Sequence, residues 1–257
     1  MKKSYTTQAI NLKSYPLNDN DSIVVMFSKT KGIISAVARG AKKPKSKLGA
    51  RIQMFIANSL LLLEGKNLDT ISEAQSLNTF SKIRYDIDKL SYSMYISEIV
   101  NLFCSKDYNK DENYEEIYDL IFNTYNKIAN ADKKEDVLLA VLKFQIKIMD
   151  TLGWGLDFDF CAICNDKIEK NAVFSLQNNN FACESCARQD YSYNVNIHYK
   201  IKDFLSEISK NDIKTKTKYD DAANLLVLEK CFNFMKKYID NISHRRTKIF
   251  DCLETIK

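Results

Sequence analysis

Glycine and proline are scarce in this chain of 257 residues, six and two in number, and they are not spread evenly. Pro16, Pro44 and four of the glycines (Gly32, Gly40, Gly49 and Gly65) precede residue 66; the other two are Gly153 and Gly155. Turns are therefore concentrated early, as β structure requires. No apolar run reaches the roughly 18 residues of a membrane-spanning helix. Met1-Lys2-Lys3 leads into polar Thr6, Thr7 and Gln8 instead of an apolar stretch, so neither export nor a membrane span is expected. Histidine is limited to His198 and His244, neither near a nucleophile elbow, and no Walker-type loop, GxGxxG or HExxH occurs. Enzymatic activity is not expected. His244 precedes Arg245-Arg246 and looks like a polar helix-end residue.

Seven cysteines make an odd set for a secreted disulfide framework. Four of them form two Cys-x-x-Cys pairs, which in a reducing compartment reads as metal ligation, so a cytoplasmic protein is expected. With 45% apolar and 28% charged residues the chain has enough apolar matter for a packed core, and its length suits two domains with a small insert.

The net charge of +5 hides an uneven distribution. Residues 1–80 hold twelve Lys or Arg against five Asp or Glu, whereas the remainder holds 26 against 28. Within the first part, the stretch from Arg39 to Arg51 carries Arg39, Lys42, Lys43, Lys45, Lys47 and Arg51 with no acidic residue. Nothing in the segment neutralises it, and a polyanion is the natural partner.

Five short runs rich in β-branched residues, Thr6 to Leu12, Ser22 to Ser28, Gly32 to Ala38, Gln53 to Glu64 and Thr70 to Leu77, read as strands. Lys29-Thr30-Lys31-Gly32 signals a hairpin, and the basic stretch is the long connection from third strand to fourth. Five such strands in about 80 residues suit an OB-fold, although pattern alone leaves an SH3-like barrel open. After Phe80 the apolar period becomes three and four, through Ile83, Ile87, Leu90 and Met94. Tyr114 to Ile128 and Asp136 to Leu152 repeat that stripe, with Asp111, Glu112 and Asp132 near the helix starts. Ile201 to Ile208, Ala222 to Ile239 and Ile249 to Ile256 read as later helices. All the helices are expected to form one bundle interrupted by a cysteine module. The expected fold is thus α+β and multidomain: a barrel over 1–80, a helical domain over 81–158 and 191–257, and an inserted four-cysteine zinc module over 159–190.

The most specific motif is Cys161-Ala-Ile-Cys164, eighteen residues, then Cys183-Glu-Ser-Cys186. Each pair folds into a knuckle that presents two sulfurs, and four thiolates suit tetrahedral zinc. Ala172 to Leu176 and Asn180 to Ala182 flank an Asn-rich turn, and a hairpin there would bring the pairs together. With every position supplied by protein, the zinc would be structural. A redox dithiol would need one pair beside a βαβ pattern, which is absent. Cys104, Cys231 and Cys252 lie on helical stretches and read as buried small apolar residues. Tyr5, Tyr15, Phe27 and Phe55 have rings on which bases stack, but a place in the core is the simpler reading of each.

Lys31-Gly32-Ile-Ile-Ser35-Ala-Val-Ala38-Arg39-Gly40-Ala41-Lys42-Lys43-Pro44-Lys45-Ser46, then Leu63-Glu64-Gly65 with Ile71-Ser72-Glu73-Ala74, and the cysteine pairs after Leu152-Gly153-Trp154 carry a resemblance. Over essentially its whole length the chain resembles the RecO family of bacterial recombination mediators. The resemblance implies an N-terminal OB-fold, a helical domain with a zinc module, and binding to single- and double-stranded DNA. It further implies partnership with RecR and with the C-terminal tail of the single-stranded-DNA-binding protein, RecA loading on covered strands, strand annealing, and a place at the nucleoid. Met54 stands where the family often has proline, and Asn165 where glycine is commoner. Two other classes fit the composition: a zinc-ribbon transcription or translation factor, and a zinc-dependent nucleic-acid-modifying enzyme, which would require an open metal position.

Overall fold

The computed structural model describes residues 3–104, 113–211 and 224–250. The chain divides into two compact units, Met1–Asn130 with Thr247–Lys257, and Ala131–Arg246.

The first unit is built on a closed five-stranded barrel: β1 (Ser4–Pro16), β2 (Ser22–Ser28), β3 (Gly32–Ala38), β4 (Ala57–Leu63) and β5 (Asp69–Asn78), in the order β1-β2-β3-β5-β4. All pairings are antiparallel except β3 with β5, which closes the barrel through Ala36 to Asp69 and Val37 to Thr70. Period-2 alternation sends Ala9, Val24, Met26, Ala36, Ala38, Leu60, Leu62 and Ile71 into the interior. These are the five strands expected, with β1 longer at both ends and β4 shorter. The basic connection is not a bare loop, because it contains a short helix, α1 (Lys47–Arg51), capped by Ser46 Oγ accepting from the Gly49 N–H at 3.2 Å.

β2 is buried at every position, so its outer face needs a cover. After a 3-10 turn over Ser81–Tyr85 come α2 (Ile87–Phe103), capped by Asp86, and α3 (Tyr114–Asn130). Both pack on the barrel. Tyr114 meets the Phe27 ring edge-on at 6.5 Å, and Gly32 lies so close to Tyr114 that a Cβ there would fall 2.6 Å from the ring. Phe55, Phe80, Phe122 and Tyr125 form a second aromatic contact between barrel and helices. Near the chain's end Thr247 is buried, and the Lys248 and Ile249 N–H groups donate to the Glu98 carboxylate at 2.9 and 3.3 Å. The helix expected from Ile249 to Ile256 lies largely outside the described residues, as do Asp111 and Glu112.

The second unit contains α4 (Lys134–Thr151), a three-stranded sheet of β6 (Ala172–Ser175), β7 (Asn180–Cys183) and β8 (Val195–Ile197), α5 (Glu184–Ala187) between β7 and β8, then α6 (Tyr199–Ser209) and α7 (Leu225–Ser243). α4, α6 and α7 pack together. Phe174 of the sheet meets Phe234 of α7 edge-on at 5.1 Å, and Phe181 meets it tilted at 5.7 Å. β8 was not anticipated, since three residues between polar neighbours carry no alternation.

The expectation of a single helical bundle is corrected here. α2 and α3 pack with the barrel, and the compact units part between Asn130 and Ala131. The physical reason is β2, whose two apolar faces recruit the first helices as a second layer.

Candidate nucleic-acid interface and metal centre

The basic segment is held at both ends. At its start Asp21 Oδ1 accepts from the Gly40 N–H at 2.7 Å, the Lys42 N–H donates to the Asn20 carbonyl at 2.9 Å, and Lys42 Nζ donates to the Asn18 carbonyl at 3.0 Å. At its end the buried Asn11 amide donates to the Arg51 and Gln53 carbonyls, both at 2.8 Å, and Asn58 donates to the Arg51 carbonyl at 3.0 Å. Ala41, Leu48 and Ile52 turn inward onto the barrel core. The segment is therefore a folded flap with an apolar underside and an anchored backbone from which its exposed cations project.

Arg39, Lys42, Lys43, Lys45 and Lys47 are exposed. The side chains of Arg39, Lys43, Lys45 and Lys47 make no hydrogen bond or ion pair among the described residues, so these four are available to a ligand. Arg51 differs from expectation. It is half-buried, and its guanidinium donates to the Ala74 carbonyl of β5. The Gly40 N–H, then the Asn18 amide and the charges of Arg39 and Lys43, hold the Asp21 carboxyl below its usual pKa.

Of the four aromatic candidates, Phe27 and Phe55 are core residues. Tyr5 is half-buried, with its hydroxyl on Asp69 and Lys31 Nζ 3.4 Å from its ring centroid. Tyr15 is 44% exposed, against the core placement expected. Sequence reasoning also missed Asp21, Asn18 and Asn20, although the turn-forming run Asn18-Asp19-Asn20-Asp21 was the available signal.

In the second unit the four cysteines converge, with every sulfur within 4.8 Å of the others. The first knuckle closes through the Cys161 N–H on the Asp166 carbonyl and the Asn165 N–H on the Cys161 carbonyl, each at 2.9 Å. Asn165 has φ +60°, a left-handed conformation that asparagine tolerates where glycine is the usual choice. The Ala162 N–H donates to the Phe181 carbonyl at 2.8 Å, which ties this knuckle to β7. Cys183 ends β7 and Cys186 lies in α5. The β6–β7 hairpin turns through Asn178 and Asn179, as expected.

The donor set suits a thiophilic divalent metal. A tetrahedral centre with bonds of about 2.3 Å has sulfurs about 3.8 Å apart, close to the spacing seen. The electrostatics agree. Burial disfavours the Cys161 thiolate, but the N–H groups of Cys164, Cys183 and Ile163 outweigh it and lower the pKa. Ser185, with the Cys186 N–H, brings Cys183 down to about 6. Cys164 rises to about 12: the Asp166 N–H favours its thiolate, but hydrogen bonding with the neighbouring thiols prevails. Cys186 rises as well, chiefly through Cys183. Four thiolates in one place repel, and only a bound cation lets all four ionise together.

Elsewhere in this unit, Lys202 is buried, and its ammonium donates to the Ile168 carbonyl at 2.7 Å and pairs with Asp203 at 2.9 Å. Asp159 binds Ser206 and Lys210 at 2.8 and 2.7 Å, so α6 clamps the first knuckle. His198 caps the start of α6 and His244 the end of α7, which accounts for both histidines. No described helix is long and apolar enough to cross a membrane.

Barrel and site together define an OB-like domain with an anchored basic flap, followed by helices that carry a four-cysteine centre. The family model Recombination protein O N terminal matches residues 1–80, and Recombination protein O C terminal matches residues 84–218. Similar chains named DNA repair protein RecO include that of Clostridium kluyveri, 25% identical over 252 residues, covering 98% of this chain and 94% of that protein. That of Clostridium perfringens is 26% identical over 246 residues, 96% of each chain, and that of Clostridium novyi 28% identical over 184 residues, 72% of this chain and 70% of that protein. The chain belongs to the RecO family.

Proposed function

We propose that this protein is a DNA-repair recombination mediator that works by binding and needs no bond-making residue of its own. The observation that carries the reading is the flap: four unpaired cations projecting from an anchored backbone on an OB-like barrel in a RecO-family chain. Exposed Lys and Arg neutralise phosphates and release counterions, which favours capture of single- and double-stranded DNA and lets two strands approach each other. Salt-sensitive, modest affinity suits a protein that hands DNA on to RecA and anneals complementary strands.

Zinc, one per chain, is the metal this reading assigns to Cys161, Cys164, Cys183 and Cys186. Its contribution is structural cross-linking of the two knuckles, with no open position for a substrate. RecR and the acidic C-terminal tail of the single-stranded-DNA-binding protein are the protein partners proposed. For the tail, the candidate place is a cavity of about 160 Å³ lined by Lys143, Ile146, Lys147, Leu156 and Ile208, where a tail carboxylate would compete with Asp150 for Lys147, the two now paired at 3.2 Å.

The test is annealing of complementary strands coated with the cognate single-stranded-DNA-binding protein, with and without this chain. Acceleration is expected, and free tail peptide should inhibit annealing of coated strands more than of bare ones. A chain that anneals bare strands but never coated ones is a simpler DNA-binding protein, and the mediator reading fails.

A further inference from the structure

The flap's anchors lie on the β1–β2 hairpin, and that hairpin carries an exposed aromatic ring. In the barrel register Tyr15 stands opposite Ile23, and Ile23 opposite Val37. Val24, Ala36 and Ala38 point inward, so Tyr15, Ile23 and Val37 share the outer face, with cross-strand Cβ atoms about 5 Å apart. Two residues before Tyr15 on the same face is exposed Lys13, and exposed Arg39 follows directly on the end of β3. An apolar, aromatic row thus runs across three strands with cations near it, and the hydrogen bonds that Asp21, Asn20 and Asn18 accept from Gly40 and Lys42 fix the flap beside it. The Tyr15 hydroxyl has no hydrogen bond among the described residues, and 44% of the residue is exposed.

From this arrangement we infer that Tyr15 is a base-stacking platform, and that the flap and the hairpin form one site for single-stranded nucleic acid. Phosphates lie on the flap cations while one base leaves the strand's own stack to lie on the Tyr15 ring. The inference rests on the DNA-binding reading of the flap and specifies its ligand. Stacking on an aromatic side chain needs an unstacked base, which a single strand supplies readily and a duplex yields only at the cost of unpairing. The flap cations attract both forms; Tyr15 distinguishes them.

The test uses the full-length chain and fluorescent oligonucleotides, single-stranded and duplex, across a salt series. Tyr15→Ala should weaken single-strand binding by about 5- to 100-fold and leave duplex binding and the salt slope unchanged. Tyr15→Leu, which keeps the apolar cover over Ile23 but has no π face, should lose as much as alanine, and Tyr15→Phe should retain affinity. A strand with 2-aminopurine at the stacked position should be quenched by wild type and by Tyr15→Phe only. Equal losses on single strand and duplex, or full affinity in Tyr15→Ala, would overturn the inference; the latter would make the exposed ring a protein contact. The flap reading fails separately, by an unchanged salt slope when Lys43, Lys45 and Lys47 become alanine.

Discussion

Replacing Lys43, Lys45 and Lys47 together with alanine should lower the salt dependence of single-strand binding by an amount that can be worked from the structure. All three side chains are exposed and lack protein partners among the described residues, so each is available to one phosphate. A phosphate neutralised on a single strand contributes about 0.7 to the slope of log affinity against log salt. The triple variant should therefore flatten the slope by about 2 units, with most of the lost affinity at low salt and little at high salt. Arg51 is kept out of the triple variant. Its guanidinium is committed to the Ala74 carbonyl, so Arg51→Ala should lower stability more than it flattens the slope. Titrations by fluorescence anisotropy from about 50 to 200 mM salt, with thermal melts of each variant, measure both quantities. A triple variant that melts like wild type and keeps the wild-type slope would refute the assignment. Binding would then move to Arg245 and Arg246, or to Lys214, Lys216 and Lys218, which lie outside the described residues.

Elemental analysis of reduced wild type should find one zinc per chain, and Cys183→Ser should abolish it and make β6 to β8 exchange amide hydrogens freely, because such sites contribute about 10 to 16 kcal/mol; reduced, carefully handled protein without metal would contradict this. Asp21 has a depressed folded pKa, so its hold on Gly40 is complete above the unfolded carboxyl value of about 3.9 and is lost only as pH falls through the lower folded value. Flap protection from trypsin should accordingly be flat from pH 5 to 8, with Asp21→Asn retaining it and Asp21→Ala losing it; equal nicking of the two variants would count against the anchor. Gly49→Ala should disturb the flap, since the new Cβ would fall 2.3 Å from the Ala41 carbonyl oxygen, at a cost of about 1 to 3 kcal/mol; an unchanged melting temperature together with unchanged DNA affinity would show that the backbone yields more easily than the packing suggests.

The strands were legible because alternation in the first 80 residues is clean and its breakers, Gly32, Gly40 and Gly65, stand between the runs. The cysteine centre was legible because ligand spacing is a local property of the chain. The packing of α2 and α3 was not, since an amphipathic stripe states that a helix buries one face without stating against what. One clue was present. Ser22-Ile-Val-Val-Met-Phe-Ser28 shows no alternation, and a strand apolar on both sides in an otherwise alternating barrel requires a second layer over it. The nearest amphipathic helices in sequence were those of residues 87–130, and they supply it.

The flap was harder to read, because composition treats every cation alike while hydrogen bonding does not. Six Lys and Arg residues between Arg39 and Arg51 have the appearance of a mobile basic tether. The polar residues that turn it into a platform lie far away in sequence, Asn11 and Asn18 to Asp21 on one side and Asn58 and Ala74 on the other. A tether must lose conformational entropy each time it meets DNA, whereas the anchored flap has already lost it on folding. On the proposed reading its four unpaired cations therefore carry a smaller backbone-ordering cost per phosphate. The same anchors tie the flap backbone to the hairpin that carries Tyr15. Preorganisation of this kind leaves the salt slope almost unaltered and appears in the affinity at fixed salt, so releasing the flap through Asp21→Ala and deleting its charges should be separable in one titration series.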